Sequence, residues 1–208
     1  ISYVNCSAEL KTLTDIVCTS TNAVKIVESL PKDQPIIFAP DKNLGSYINR
    51  VTGRNMILWD GACMVHETFS ADLIQKMKAE HPNAKLVAHP ESEQAVLAEA
   101  DYIGSTTGLL KYTTSSPNEE FIVATESGIL HQMRKAAPSK KFWVAPTTRN
   151  GHACLACSDC PHMKLNTLEK LYLCLRDETP EIHLSADIIR DARKPIERML
   201  EISAQFGL

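Results

Sequence analysis

The sequence has no excess of positive charge and no long apolar run. Lys and Arg number 22 against 25 Asp and Glu, so the formal net charge is −3. This balance provides no basic field for nucleic acid or for an anionic membrane surface. The apolar runs, such as the one at 35–40, have the length of a β-strand and are far too short to span a bilayer. We therefore expect neither nucleic-acid binding nor membrane insertion.

The chain also lacks a charged-then-apolar signal segment at its start. Its seven cysteines are not spaced like a disulfide framework, because Cys154, Cys157 and Cys160 are bunched and the others lie far apart. Together these features favour a cytoplasmic protein with reduced thiols that bind metal.

Short β-rich runs alternate with segments of helical period along the whole chain. Apolar strands that alternate with helices are typical of a parallel sheet covered on both faces. We predict an α/β fold with strands at 1–4, 16–18, 35–39, 56–59, 85–88, 102–103, 121–124 and 142–144.

A shift of the chain against itself by 86 residues places every predicted strand on another predicted strand. Asp15 then falls on Asp101, and the hydroxyl-rich turn 19–21 falls on the turn 105–107. Any two α/β stretches agree to some extent, because strands and helices are common. The matching turns, each of which opens a helix, favour a true repeat. We predict tandem αβα, Rossmann-like units at 1–66 and 67–146, followed by a cysteine loop and helices at 147–208.

Polar residues follow the first strand of each predicted unit. Tyr3 and Asn5 correspond to His89 and Glu91 in the second unit. Ligands of parallel α/β sheets lie at the carboxyl ends of the strands. His89 and Glu91 provide a proton-transfer pair near neutral pH, although Tyr3 and Asn5 can equally end an ordinary strand.

Hydroxyl groups follow the second strand of each unit, where Ser20 corresponds to Thr106. Hydroxyls and free N–H groups at a helix start favour an anion such as a carboxylate or a phosphate. Serine and threonine at this place are also common as plain N-caps.

Both units run into cysteine after their last strand. Cys63 follows Gly61, and the second unit leads to Cys154, Cys157 and Cys160 before Pro161. The second run resembles part of a ferredoxin-type cluster pattern. A zinc site completed by His152 or His162 and a redox-active disulfide are the alternatives. The remaining cysteines, Cys6, Cys18 and Cys174, are predicted to be structural, with Cys18 and Cys174 buried.

These segments together resemble the quinolinate synthase (NadA) family of de novo NAD biosynthesis. The blocks Gly61-Ala62-Cys63 and His89-Pro90-Glu91, in this order, are specific to the resemblance, which covers essentially the whole chain. The matching segments are 3–5, 19–20, 22–24, 39–45, 59–66, 89–92, 104–106, 122–126 and 154–163.

The resemblance implies three homologous αβα domains around a pseudo-threefold axis in the complete protein. Each domain supplies one cysteine to a 4Fe–4S cluster, which leaves one iron open. The implied reaction condenses iminoaspartate with dihydroxyacetone phosphate and releases quinolinate, phosphate and water. A functional link to L-aspartate oxidase is also implied.

The resemblance assigns roles to individual residues. By match, Cys63 and Cys160 are cluster ligands, whereas Cys154 and Cys157 are non-ligands that can pair. His66 lies beside the cluster loop. Glu91, His89 and Tyr3 are the implied catalytic residues. The implied substrate-binding residues, which hold carboxylate or phosphate groups, are Tyr3, Asn5, Ser20, His89, Glu91 and Thr106.

The chain departs from the family pattern in one respect, because it opens inside a predicted strand at Ile1. We therefore expect that the first domain, with the third cluster cysteine, is missing upstream. The helices predicted at 165–176 and 186–204 are expected to pack on that domain. The alternative functions are a non-catalytic zinc-binding module and a carbohydrate- or nucleotide-binding α/β protein.

Overall fold

A computed structural model describes residues 1–149, 152–154 and 158–208 of the chain. The first of its two α/β units has four short strands that alternate with three helices. The strands are β1 (Ser2–Tyr3), β2 (Val17–Cys18), β3 (Ile37–Phe38) and β4 (Ile57–Leu58), and the helices are α1 (Ala8–Thr12), α2 (Ala23–Ser29) and α3 (Lys42–Thr52).

The strands of the first unit are parallel and lie in the order β2-β1-β3-β4. β1 pairs with β2, and β3 pairs with β4. Ile1 joins the two pairs, because its nitrogen donates to the Ile37 carbonyl at 2.8 Å and its carbonyl accepts from the Ala39 N–H at 3.0 Å.

The second unit has the same strand order in one four-stranded parallel sheet, β6-β5-β7-β8. A 3-10 turn (His66–Thr68) and α4 (Ala71–Glu80) lead into it. Its elements are β5 (Lys85–Ala88), α5 (Gln94–Glu99), β6 (Tyr102–Ile103), α6 (Thr106–Ser115), β7 (Glu120–Ala124), α7 (Ile129–Ala136) and β8 (Lys141–Val144). Two short strands, β9 (Thr148–Arg149) and β10 (His152–Ala153), then pair antiparallel. The predicted α/β class with parallel sheets is confirmed.

The second sheet is buried on both faces, which explains its continuous apolar strands. Leu86 and Ile122 pack with residues of α4 and α5, while Val87, Phe121 and Val123 pack with α6 and α7. Successive side chains of a strand point to opposite faces, so both kinds of position must be apolar here.

Corresponding elements of the two units lie 86 residues apart. When the first unit is moved by this distance, each strand from β1 to β4 overlaps its counterpart among β5 to β8 in the same order. The helices α1, α2 and α3 likewise fall on α5, α6 and α7. The carboxyl ends of equivalent strands therefore carry equivalent loops.

Two helices end the chain, α8 (Leu168–Asp177) and α9 (Ala186–Gln205). We expected both to pack on a domain outside this chain. Within this chain, α9 packs on α1, α2 and β2 of the first unit. Met199 is buried there, and Asn22 Nδ2 donates to Ser203 Oγ at 3.0 Å.

Helix α8 buries none of its side chains, and Leu168, Leu171 and Leu175 are exposed. The prediction that Cys174 of this helix is buried is wrong, because its thiol is only partly covered. Cys18, in contrast, is fully buried, and burial raises the pKa of its thiol to about 12. In the part of the chain that the structure describes, no helix is both long enough and apolar enough to cross a membrane.

Candidate active site

Polar side chains from both units meet at the carboxyl ends of β1, β2 and β5. The Ser20 N–H donates to Tyr3 Oη at 3.2 Å, and Tyr3 Oη in turn donates to Ser20 Oγ at 3.4 Å. His89 Nε2 lies 3.1 Å from the same Ser20 hydroxyl. Ser20 is therefore a bridge between the units rather than a helix cap.

His66 lies beside this bridge, at the start of the 3-10 turn after β4. Its ring stacks on that of His89 with centroids 4.6 Å apart. His66 Nε2 contacts Thr125 Oγ1 at 3.1 Å, and its Nδ1 lies 3.1 Å from Glu91 Oε2. The second contact is an ion pair without the alignment of a hydrogen bond. In the sequence, His66 is recognisable only as a neighbour of the cysteine loop, three residues after Cys63, and no pattern singles out Thr125.

The surroundings move the pKa values of the two stacked histidines in opposite directions. Burial, and then the charge of His66, lower the pKa of His89 to about 4. Burial also opposes the charged form of His66, but Cys63 and Glu91 outweigh it and raise the pKa of His66 to about 9. At neutral pH the site therefore holds a neutral His89 against a protonated His66.

The acidic partners of His66 shift toward their anionic forms. Burial opposes ionisation of Glu91, yet His66 and then His89 hold the pKa of Glu91 below its ordinary value. His66 likewise lowers the pKa of the Cys63 thiol despite the burial of that thiol. A lowered thiol pKa favours the thiolate, which is the nucleophile and the metal ligand.

Cys63, His66 and Glu91 can together hold a metal ion. Their donor atoms all lie within 4.8 Å of one another. His66 Nδ1 is buried without an aligned hydrogen-bond partner, which is an unusual state for a buried polar atom. Thiolate and imidazole are ligands that suit iron and zinc.

A cleft of about 370 Å³ opens beside these groups. Tyr3, Asn5, Cys63 and Glu91 line it, so one opening gives access to predicted binding residues of both units. Thr106 is exposed at the first residue of α6 and is not among the described residues that line the cleft. Ser105, and not Thr106, caps α6 by accepting the Gly108 N–H at 3.2 Å.

The bunched cysteines differ in state. Cys160 is a free thiol, whereas Cys154 is disulfide-bonded. Cys157, predicted as a residue able to pair with Cys154, lies outside the described residues. A zinc module built on the run 154–160 needs Cys154 as a thiolate, and a disulfide-bonded sulfur cannot serve as one.

The fold and the site define a class: an α/β protein whose parallel sheets bring a thiol, two histidines and a carboxylate to one rim, as in a metal-dependent enzyme. The family model described as Quinolinate synthetase A protein (NadA) matches residues 1–201. The chain belongs to this family.

Curated relatives agree with the family match. The chain is 60% identical over 203 residues to the quinolinate synthase of Microcystis aeruginosa and 57% identical over 204 residues to that of Synechococcus sp.. It is 58% identical over 203 residues to the quinolinate synthase of Thermosynechococcus vestitus. These matches cover 98% of this chain but only 62%, 63% and 63% of the respective relatives, so the chain spans less than two thirds of their length.

Proposed function

We propose that this chain forms two of the three domains of a quinolinate synthase of NAD biosynthesis. The reaction condenses iminoaspartate with dihydroxyacetone phosphate and releases quinolinate, phosphate and water. The observation that carries the proposal is the meeting of Cys63, His66 and Glu91 at one cleft, in a chain of this family.

The residues present fit a 4Fe–4S cluster. Cys63 is a free thiol with a lowered pKa at the cleft, and it lies beside a buried ring nitrogen that has no aligned hydrogen-bond partner. Cys160 is the second free thiol placed after a last strand. We assign these two cysteines as cluster ligands and the third ligand to residues outside this chain. When bound, a cluster with one open iron supplies a Lewis acid that holds a substrate hydroxyl or carboxylate.

The two units are, in our proposal, tandem Rossmann-like copies related by the pseudo-threefold axis of a three-domain protein. Their identical strand order and the constant offset of 86 residues support this. The exposed apolar side chains of α8 then provide the surface on which the first domain packs.

Anion binding falls to the polar groups that end the strands. Tyr3, Asn5, Ser20 and His89 hold the carboxylate and phosphate groups of the substrates. Thr106, which is exposed at the start of α6 and does not line the cleft, is proposed to add a further hydroxyl. Protonated His66 adds a fixed positive charge beside them, and such a charge is worth more in a buried site than in water.

Proton transfer falls to Glu91 with His89. Glu91 is ionised at neutral pH and faces the cleft, so it accepts a proton at a carboxylate oxygen. Neutral His89 keeps one ring nitrogen on the Ser20 hydroxyl and stacks on His66. Tyr3 Oη completes this chain of hydrogen bonds.

The compartment and the metabolic link are also proposals. Although Cys154 is disulfide-bonded, five other cysteines are free thiols, which supports a reducing cytoplasm; they are Cys6, Cys18, Cys63, Cys160 and Cys174. We propose a functional link to L-aspartate oxidase as the source of iminoaspartate.

The test compares Cys63→Ser with Cys174→Ser in the full-length protein, purified without oxygen. Cys63→Ser is expected to lose the cluster and quinolinate formation together. Cys174 lies in α8 and does not line the cleft, so Cys174→Ser is expected to keep the cluster and quinolinate formation. Analysis of iron and acid-labile sulfide checks this, and a colourless wild-type protein with stoichiometric zinc would overturn the proposal.

A further inference from the structure

Asp41 uses both oxygens of its carboxylate for backbone N–H groups. Oδ1 accepts from Leu44 at 2.8 Å and so caps α3. Oδ2 accepts from the N–H of Cys63 at 2.7 Å. Asp41 is only 4% exposed; its bond to Leu44 is buried, and its bond to Cys63 is partly buried at the edge of the cleft.

Glu126 also accepts two backbone N–H groups in the second unit, one of them from a cysteine, although it does not cap α7. It stands between β7 and α7, as Asp41 stands between β3 and α3. Oε2 accepts the N–H of Gly128 at 2.8 Å, and Oε1 accepts the N–H of Cys160 at 3.4 Å. Moved by 86 residues, Asp41 falls one position after Glu126, and the extra methylene of glutamate spans that difference.

A helix cap alone does not require this arrangement. A serine or an asparagine caps a helix with one oxygen. A carboxylate is the side chain that accepts at two oxygens without also presenting a donor. The second oxygen of Asp41 therefore points to a task at the cysteine. The same contact recurs at Glu126, whose Oε1 also lies 3.9 Å from Lys164 Nζ.

We propose that Asp41 and Glu126 are positioning residues that hold the backbone N–H of the two cluster cysteines. The inference rests on the proposed function for the identity of the metal group, but the pairing itself is a property of this chain. Each carboxylate ties the cysteine to the start of a packed helix, so the thiol has a fixed place before any metal arrives.

The pairing also has an electrostatic consequence. Hydrogen bonds to the sulfurs and the net charge near a cluster set its reduction potential. A cysteine N–H that donates to a carboxylate cannot also donate to a cluster sulfur. The carboxylate in addition places a negative charge near the cluster. Removal of Asp41 is therefore expected to move the cluster potential to a more positive value.

The first experiment measures amide hydrogen exchange in the metal-free full-length protein. Asp41→Ser keeps an oxygen for the cap of α3 but provides no second acceptor for Cys63. Exchange at the Cys63 amide is expected to become about tenfold faster, as loss of one hydrogen bond predicts. Ser70→Ala is the matched control, because Ser70 caps α4 through Leu73 and has no cysteine partner. Unchanged exchange at Cys63 would overturn the inference.

The second experiment uses the full-length protein with its cluster. Asp41→Ser and the isosteric Asp41→Asn are expected to lose iron about tenfold faster than the wild type, as is typical when a group that orients a metal ligand is removed. Their cluster potential is expected to be more positive, whereas Ser70→Ala leaves both quantities unchanged. Asp41→Asn keeps one acceptor oxygen and serves if the serine variant does not fold.

The outcomes separate the two proposals. A wild-type protein without iron and sulfide would overturn the proposed function. A wild-type protein with a cluster, and Asp41 variants with unchanged iron loss and potential, would overturn only the positioning role.

Discussion

At the scale of single residues, the stacked histidines show how surroundings separate two identical side chains. His66 Nδ1 lies 3.1 Å from Glu91 Oε2 and the ring also interacts with Cys63, whereas His89 Nδ1 is 3.8 Å from the same Glu91 oxygen and His89 Nε2 contacts the neutral Ser20 hydroxyl. Their rings share one stack, so a proton on His66 disfavours a proton on His89. The site therefore holds one fixed positive charge and one neutral base.

The lowered pKa of His89 predicts an acid-sensitive contribution to stability. Its folded value of about 4 lies below the ordinary 6.5, so the unfolded chain binds one more proton between these pH values. The contribution of His89 to the free energy of unfolding is therefore fully present above pH 6.5, and it is lost as the pH drops to 4, by about 3 kcal/mol.

Urea unfolding of the metal-free chain at several pH values checks this prediction. His89→Gln is expected to remove that part of the slope, while His131→Gln, on the exposed side of α7, is expected to keep it. Equal slopes for the wild type and His89→Gln would contradict the assignment.

Ser20→Ala is predicted to impair the site more than the fold. It removes the oxygen that joins Tyr3 to His89, which costs about 1–3 kcal/mol through partners left unsatisfied. In the full-length enzyme kcat/KM is expected to fall at least about tenfold. Ser29→Ala, at the exposed end of α2, is the control and is expected to leave steady-state kinetics unchanged. A Ser20→Ala enzyme with wild-type kinetics would show that the bridge has no role in the reaction.

At the scale of elements, α9 stabilises the first unit through its buried stripe. Met199→Ala is expected to lower the free energy of unfolding by about 2–5 kcal/mol, because Met199 packs into the core of that unit. The neighbouring Leu200 is 56% exposed, so Leu200→Ala is expected to cost under about 1 kcal/mol. Chemical unfolding of both variants checks the difference, and equal losses would mean that α9 does not pack in this way.

Helix α3 approaches its sheet closely at Gly45. A Cβ at this position would lie 2.5 Å from Leu58 Cδ2 and 2.9 Å from Phe38 Cδ1. Gly45→Ala is therefore expected to destabilise the chain by about 1–3 kcal/mol, in spite of the higher helix propensity of alanine.

Gly108 of α6 provides the matched helical control for Gly45. The atom nearest to a Cβ added at Gly108 would be Tyr102 Oη, at 3.1 Å. A small shift of the tyrosine ring relieves this close contact. Gly108→Ala is expected to change stability by less than about 1 kcal/mol, as measured by thermal unfolding. A Gly45→Ala variant as stable as Gly108→Ala would refute the close approach.

At the scale of the whole molecule, most of the fold was predictable because both sheets follow a local pattern. Strands 85–88 and 102–103 were predicted to the residue, since apolar runs there end in polar turns. The first unit has shorter strands than predicted, because its pairing begins and ends inside the apolar runs. The packing of α9 was not predictable, since an amphipathic pattern marks a buried face but not its partner.

The candidate site was predictable in its components and not in its contacts. Strand ends identified Tyr3, Ser20, His89 and Glu91, which is where a parallel sheet places ligand groups. The contact of His66 with Glu91 joins the loop after β4 to the loop after β5, and no local pattern encodes it. Asp41 was not identified from the sequence as a site residue, because its bond to Cys63 reaches 22 positions along the chain.

The proposed division of the cluster ligands predicts that this chain alone binds a cluster poorly. It carries two of three ligands in our proposal, so after anaerobic reconstitution and desalting it is expected to retain much less iron and sulfide than the full-length protein. Iron and sulfide analysis of both proteins checks this. Equal, stable loading of the two, unaffected by Cys63→Ser, would contradict the ligand assignment.

The carboxylate that holds each cysteine affects which changes in loop length the chain can tolerate during evolution. Cys63 comes five residues after β4, whereas Cys160 comes sixteen residues after β8. An anchored amide keeps its place when residues are inserted upstream, so mutation can lengthen one loop and leave the geometry of its thiol unchanged. If the two units are copies, as we propose, each can acquire new loop sequences while it keeps the anchor, and the run 154–157 lies in the longer of the two loops.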